Sequence, residues 1–539
     1  MRGSPYFAHP VLDAETYHRA ALALAGGEGF PDRVFWQPPG YPYFLALVYA
    51  LAGPSFLAPR LVQAVLGSLA AVLTYWLGAR LFGPRVGLAA GLGAAGYGLL
   101  IYYDGELLTP SLAILVELVA VLLAVRAQDA PDSRSWLGAG LFGGLAAVVN
   151  ATALVLVPVM AVFARRRALW VLLGAALAIA PLTLRNWTQG GELVLISSNG
   201  GVNLFLGNNP RYDDTVAMRP GRDWQALLRA PRLHGVRGAR AESVFFERRV
   251  LAFARAEPVT FLRLQATKLR LLLTGDEIPR NQEIYPARGY SPVLRVLLWK
   301  SPLLAFPYGI VLPLGLVGLV VGARRAPMLA AMLVVFALAV LAFFVTARYR
   351  APLVPLLLVF AAEGLRWLVA SASRTARLVA VGALVPLYAV ANLGQGPMPA
   401  QMNPDAEFGL ATWLEREGSP DEALALYRAV AREHPSGWDA WYRLGQLLEA
   451  AGRREEAEDA FTIARGIVPT HFDTLVWLAR QASEAGCLDE ALAHYRRAVE
   501  LDPTSHLARD GLERVLGERA KTPSTGSTDP CARKGPDSA

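Results

Sequence analysis

Charge is scarce in this sequence. Only 18% of its 539 residues are Asp, Glu, Lys or Arg while 54% are hydrophobic, and an ordinary soluble domain carries about 25% charged residues. That shortfall excludes a disordered or collagenous chain and argues against a purely soluble enzyme. Cysteine is scarcer still. Cys487 and Cys531 are the only two, too few for a disulfide framework and without the spacing of a zinc site. Lysine supplies four of the 52 basic residues, Lys268, Lys300, Lys521 and Lys534. The net charge of +8 therefore resides in arginine, much of it between apolar runs, which is a membrane pattern and not a nucleic-acid one. The length exceeds that of one domain, so a membrane protein with a soluble part is expected.

Apolar runs near bilayer length fall at about 61–79, 86–103, 107–125, 136–149 with 151–163, 168–185, 303–322, 327–346, 351–370 and 376–393. The 136–163 stretch is too long for one span and is interrupted at Asn150 and Pro158, which predicts a short hairpin and makes ten crossings. Short loops on one side collect Arg80, Arg85, Arg126, Arg134, Arg165, Arg166, Arg167, Arg324, Arg325, Arg366, Arg374 and Arg377, whereas those on the other side hold Arg348 and Arg350. The arginine-rich side is cytoplasmic by the positive-inside rule. Residues 1–56, the loop at 104–106, the segment 186–302 and everything after 393 then face outward. The first twenty residues contain no apolar export segment, so a start further upstream with one more helix is expected.

From Pro404 the texture becomes a 34-residue repeat. Gly418, Gly452 and Gly486 are in step, as are Ala423, Ala457 and Ala491, Tyr427, Phe461 and Tyr495, and Pro435, Pro469 and Pro503. Small residues let paired helices approach and the aromatics fill the gap to the next pair. With Trp441, Leu444, Gly445, Leu448, Ala457, Phe461, Ala464 and Pro469, the middle unit resembles a tetratricopeptide repeat. Three repeats (404–437, 438–471, 472–505) with a capping helix form a 401–518 domain. A polar 519–539 tail follows and is read as disordered.

Outward acids are the informative polar residues. Asp13 and Glu15 begin a helical pattern, and Asp104 and Glu106 occupy a tight loop between spans, in YYDGELLTP. Carboxylates so placed can hold a divalent cation or take a proton from an attacking hydroxyl. The bland alternative is that Asp13 caps its helix and Glu106 favours the next helix N-terminus. Glu117 lies mid-span, where a hydrogen bond to a neighbouring helix competes with a reactive role. Outward cations complement the acids: Arg185 in APLTLRNW, Arg348 and Arg350 in TARYRAPLVP, and Lys268 and Arg270. They either snorkel toward head groups or bind phosphate through planar donor forks. Asn199, Asn203, Asn208 and Asn209 fall in a glycine-rich stretch that makes turns or hydrogen-bonds a sugar.

Taken in order, DAETYHRAA, WQPPGYPYFLALVYALAG, PRLVQAVLGSL, YYDGELLTPSL, APLTLRNW and ARYRAPLVP resemble the GT-C membrane glycosyltransferases, near the protein O-mannosyltransferase and aminoarabinose transferase branch. The resemblance covers roughly residues 5–393. It implies an all-α fold, a polytopic helical bundle (57–400) ahead of the repeat solenoid, with a bacterial inner-membrane location. It also implies a polyprenyl-phosphate-linked sugar donor and a non-cytoplasmic active site. By the same resemblance Asp13 is the base. Asp104 and Glu106 serve a metal (Mg or Mn) or the phosphate region, while Arg185, Arg348 and Arg350 bind donor phosphate. Glu15, Asn203 and Asn208 are sugar or acceptor contacts. Where the family tends to place a basic residue after the hairpin helix, this chain has Asn150.

The main expectation is a lipid-sugar-dependent glycosyltransferase acting on a protein or glycan hydroxyl, with outward repeats that recruit the acceptor or another protein. The alternative is a non-catalytic membrane scaffold whose repeats organise an envelope complex. A transporter ranks last, because only Glu117 lies deep in the bundle.

Overall fold

The computed structural model describes residues 3–521, apart from 130–131, 219–221, 281, 371–373, 397, 399–403, 470 and 503–504. The chain divides into two compact units, Met1–Met402 and Asn403–Ala539. Both are helical. Among the described residues the one sheet is a two-stranded antiparallel ribbon, Trp299–Lys300 with Ala305–Phe306.

In the first unit, helices Ala58–Phe82, Pro110–Asp129, Leu353–Ala370 and the run Ala151–Gly190 are long and apolar enough to cross a membrane. Pro84–Ala95 and Gly98–Asp104 meet the same criterion only together, across a 53° bend, as a broken span or a re-entrant loop. Shorter apolar helices, Gly40–Ala52, Tyr308–Gly322, Pro327–Ala342 and Leu378–Asn392, complete the set. The protein is a multi-pass membrane protein. Of the ten crossings expected, four, or five with the bent pair, are met by helices of membrane length among the described residues. Gly40–Ala52 leaves Leu47 and Leu51 exposed, and so is apolar on more than one face.

The hairpin breaks where the sequence indicated. Helix Ser133–Val149 stops at Asn150, whose side chain accepts from the Thr152 amide, and the chain returns through a 3-10 turn into Leu156–Ala164. Small residues draw the helices together. A Cβ on Gly140 would strike the Val171 carbonyl, and one on Gly174 the Leu137 carbonyl, so Ser133–Val149 packs backbone to backbone on Ala168–Gly190. Two acids are buried in the spans, not one. Glu117 has no hydrogen-bond partner for either carboxylate oxygen among the described residues. Glu363 is gripped by Arg366 near the arginine-rich side.

In the second unit, three antiparallel helix pairs are followed by His506–Lys521. The pairs are Pro404–Arg416 with Pro420–Glu433, Trp438–Ala450 with Arg454–Ile467, and Phe472–Glu484 with Leu488–Leu501. Gly418, Gly452 and Gly486 adopt φ of 82°, 75° and 80° in the turn of each pair, a conformation that favours glycine. Ala423, Ala457 and Ala491 are fully buried beside Tyr427, Phe461 and Tyr495. Pro503 and the tail from residue 522 lie outside the described residues.

Candidate functional site

Asp13 opens helix Asp13–Ala25. Leu12, just before it, has φ 58°, a rare conformation for a leucine that costs about 1–3 kcal/mol. The turn delivers the carboxylate to Arg348, whose Nη1 donates to Asp13 Oδ2 at 2.5 Å. Both side chains are more than four-fifths buried. Burial pushes the Asp13 carboxyl up. The facing charge of Arg348, with Arg280 and a hydrogen bond from Gln37, outweighs it and holds the group below the ordinary carboxylate range. Asp13 is therefore ionised at neutral pH.

Arg348 stands at a junction. On one side is a recess of about 30 Å³ that it lines with Asp13, Tyr102, Tyr103 and Arg280. On the other is a cavity of about 650 Å³. Its walls are mainly apolar, from Val149, Leu154, Val157, Val340, Phe343 and Phe344. Gln37, Asn150, Thr152, Ser197, Asn199 and Asn203 supply polar groups. A long apolar cavity with a few convergent polar groups and one guanidinium suits an amphiphile with a charged head.

The remaining predicted residues are distributed. Arg350 does not face this cavity. It is fully buried and donates to the Thr274 and Asp276 carbonyls and to Glu277 Oε2 at 2.6 Å, while stacking 3.8 Å from the Tyr308 ring centroid. Arg185 donates to the carbonyls of Phe30, Asp32 and Arg33 and lies over the Phe35 ring. Beside it Asn186 binds the Phe35 amide and the Val194 and Ile196 carbonyls. Arg185 and Asn186 thus clamp the 30–35 and 194–196 segments together. Asn203 reaches the cavity. Asn208 accepts from Lys268 and Gln265 and donates to the Leu204 and Ala342 carbonyls, which occupies it structurally. Burial lowers the Lys268 ammonium to about 8. Glu15 pairs with Arg19 one turn on.

Asp104 and Glu106 are held apart from the Asp13 pair. Arg60 Nε donates to the Gly105 carbonyl, and Gln63 Nε2 to those of Asp104 and Glu106. The Asp104 carboxylate sits over Gly67 and lines a separate cavity of about 680 Å³. Among the described residues no three His, Cys, Asp or Glu side chains converge as metal ligands. The predicted pair, Asp104 and Glu106, are the carboxylates that would hold a Mg or Mn ion together with donor phosphate.

Burial, opposed by Arg60, pushes the Glu106 carboxyl up to about 7. The folded state holds that proton more tightly than the unfolded chain. Its stabilising effect is complete below about 4.5 and is lost as the pH rises to about 7. The melting temperature is expected to fall across that window, and Glu106→Gln to flatten the fall, as read by circular dichroism in detergent.

Sequence reasoning missed Arg280 and Gln37, which flank Asp13, and gave no role to Arg60 and Gln63. The last two carried a usable signal, since polar residues three apart in an apolar span mark one interior face. Arg280 lies in a loop without periodicity and carried none.

Residues 36–184 match the family described as Dolichyl-phosphate-mannose-protein mannosyltransferase, and residues 408–472 match Tetratricopeptide repeat. The first match falls in the membrane unit and the second in the repeat unit. The matched part of the membrane unit contains Asp104, Glu106 and Asn150, begins after Asp13 and ends before Arg185. Cellulose synthase 2 operon protein C of Komagataeibacter xylinus is 34% identical over 110 residues, 20% of this chain and 8% of that protein. Tetratricopeptide repeat protein 7B of Homo sapiens is 32% identical over 99 residues, 18% of this chain and 12% of that protein. The chain thus spans about a tenth of the length of these curated relatives. Among solved structures it is similar to ArnT from Cupriavidus metallidurans in the apo state. That match has 15% identity and a TM-score of 0.35, over 86% of this chain and 74% of that one.

Proposed function

We propose that this protein moves a sugar from a polyprenyl-phosphate-linked donor to an acceptor hydroxyl on the non-cytoplasmic face of a bacterial inner membrane. The Asp13–Arg348 pair carries the reading, because its guanidinium also lines a mainly apolar cavity. The prenyl chain occupies the cavity and its phosphate meets Arg348. Asp13 takes the proton from the acceptor hydroxyl as that oxygen bonds to the anomeric carbon. The bond from that carbon to the phosphate oxygen breaks, and the lipid phosphate leaves with the charge that Arg348 receives. In the resting enzyme Asp13 occupies the guanidinium. An arriving phosphate competes for it, while Arg280 remains near the carboxylate. Arg185 and Arg350 act as positioning residues, and Asp104 and Glu106 shape the neighbouring loop. The arginine asymmetry of the short loops supports the outward face. The repeats supply a protein-binding surface that brings an acceptor or partner.

Release of polyprenyl phosphate from a panel of lipid-linked sugars, by full-length protein in nanodiscs, tests this. Turnover by wild type that is lost in Asp13→Asn is the expected result. Function retained in cells carrying Asp13→Asn, but lost on changing the repeat groove, would establish the scaffold alternative. Arg348→Gln is expected to raise donor KM and to move the acid limb of the pH–rate profile upward by at least about one unit. Burial then acts on Asp13 without its main counter-charge.

A further inference from the structure

The site has a second approach, lined by the segment that follows Arg185. Leu195 and Ser197 line both the 650 Å³ cavity and a neck of about 340 Å³. Ser198, Ala239 and Ser243 line both that neck and an outer cleft of about 780 Å³. The three spaces thus adjoin in series, and they run from Arg348 to a cleft between the 31–36 loop and helices Arg222–Leu233 and Ala239–Ala256.

The charge of this cleft is one-sided. Its acids are occupied: Asp32 accepts from the Trp36 amide, Glu192 from the Ala239 and Arg240 amides, and Glu242 pairs with Arg232. Arg33, Arg229 and Arg240 are exposed around the track, and none has a carboxylate partner among the described residues. The surrounding sequence has the same bias, with ten arginines against six acids between residues 211 and 257. The positive-inside rule counts short loops, so membrane orientation does not account for an arginine surplus in this long segment.

We infer that this cleft is the acceptor site and that it takes an acidic oligosaccharide, a hydroxyl-rich chain whose carboxylates meet the three free guanidinium forks. This rests on the glycosyltransferase reading. An extended peptide is the weaker fit, because peptide recognition by strand addition needs unpaired backbone. Here much of the wall is already paired: the Val194 and Ile196 carbonyls bind Asn186, the Leu195 carbonyl binds Thr183, and the Ser198 and Asn199 amides bind the 35–36 backbone. Side chains are left to do the recognising, with Trp36 and Gln225 beside the arginines.

Full-length protein in detergent is titrated with a short oligogalacturonate, its reduced neutral counterpart, a Glu/Ser peptide of equal charge and phosphatidylglycerol vesicles. Wild type is expected to bind the acidic sugar best. The triple variant Arg33→Gln, Arg229→Gln, Arg240→Gln is expected to bind it at least about tenfold more weakly, with an unchanged melting curve because these side chains are exposed. Equal affinity for the neutral sugar, tighter binding of peptide or vesicles, or no loss in the triple variant overturns the assignment. Asp13→Asn separates the two levels. Transfer lost there, with acceptor KM unchanged in the triple variant, overturns the cleft alone. Transfer intact in Asp13→Asn overturns the reading beneath it.

Discussion

Replacing Asp13 by Asn is expected to lower the rate of sugar transfer by about 10²- to 10⁴-fold, the range for loss of a positioned general base. Donor affinity should rise, since a neutral amide competes less well than the carboxylate for the Arg348 guanidinium. The amide has the shape of the carboxylate and still offers Arg348 an oxygen, so the surrounding loops stay in place, but it cannot take a proton. In wild type Asp13 is ionised through the neutral range because Arg348, Arg280 and Gln37 together outweigh its burial. The rate therefore falls only when the pH drops through a value below the ordinary carboxylate range. Single-turnover transfer measured against pH checks both claims. An unchanged rate in Asp13→Asn, or an acid limb in the neutral range, would remove Asp13 from the chemistry.

The boundaries of the spans were legible because burial in lipid constrains composition over a whole turn-rich segment. The run read at 61–79 became Ala58–Phe82, and Asn150 marked the hairpin turn. The repeat was legible for a similar reason, since every glycine turn and buried alanine recurs at one spacing. The arginines were not legible in the same way. Arg185, Arg348 and Arg350 sit in outward motifs that look alike, yet one holds backbone carbonyls, one faces Asp13 and a cavity, and one is buried against Glu277. A guanidinium takes its role from what lies opposite, and the partners are 153, 335 and 73 residues away in sequence. The setting of Asp104 and Glu106 was hidden for a related reason, since Arg60 and Gln63, more than forty residues earlier, hold the backbone of their loop.

Glu277→Ala is expected to destabilise the membrane unit by about 3–5 kcal/mol, because it leaves a buried guanidinium without its counter-charge. Arg350 and Glu277 are 0% and 1% exposed, at 2.6 Å, so solvent cannot compensate for the loss. The same guanidinium ties down the Thr274 and Asp276 carbonyls, and Arg350 lies two residues beyond Arg348 on the same short turn. Replacing both partners by apolar residues, Glu277→Leu with Arg350→Met, should restore much of the stability, since a buried ion pair adds little over good packing. Transfer should not return with it. Methionine packs in place of the guanidinium but cannot bind the 274–276 carbonyls that fix the turn, so Arg348 loses its register with Asp13. Denaturation in detergent alongside transfer assays separates the two effects. Recovery of both together would mean that the pair serves the fold alone and that Arg348 is held by something else.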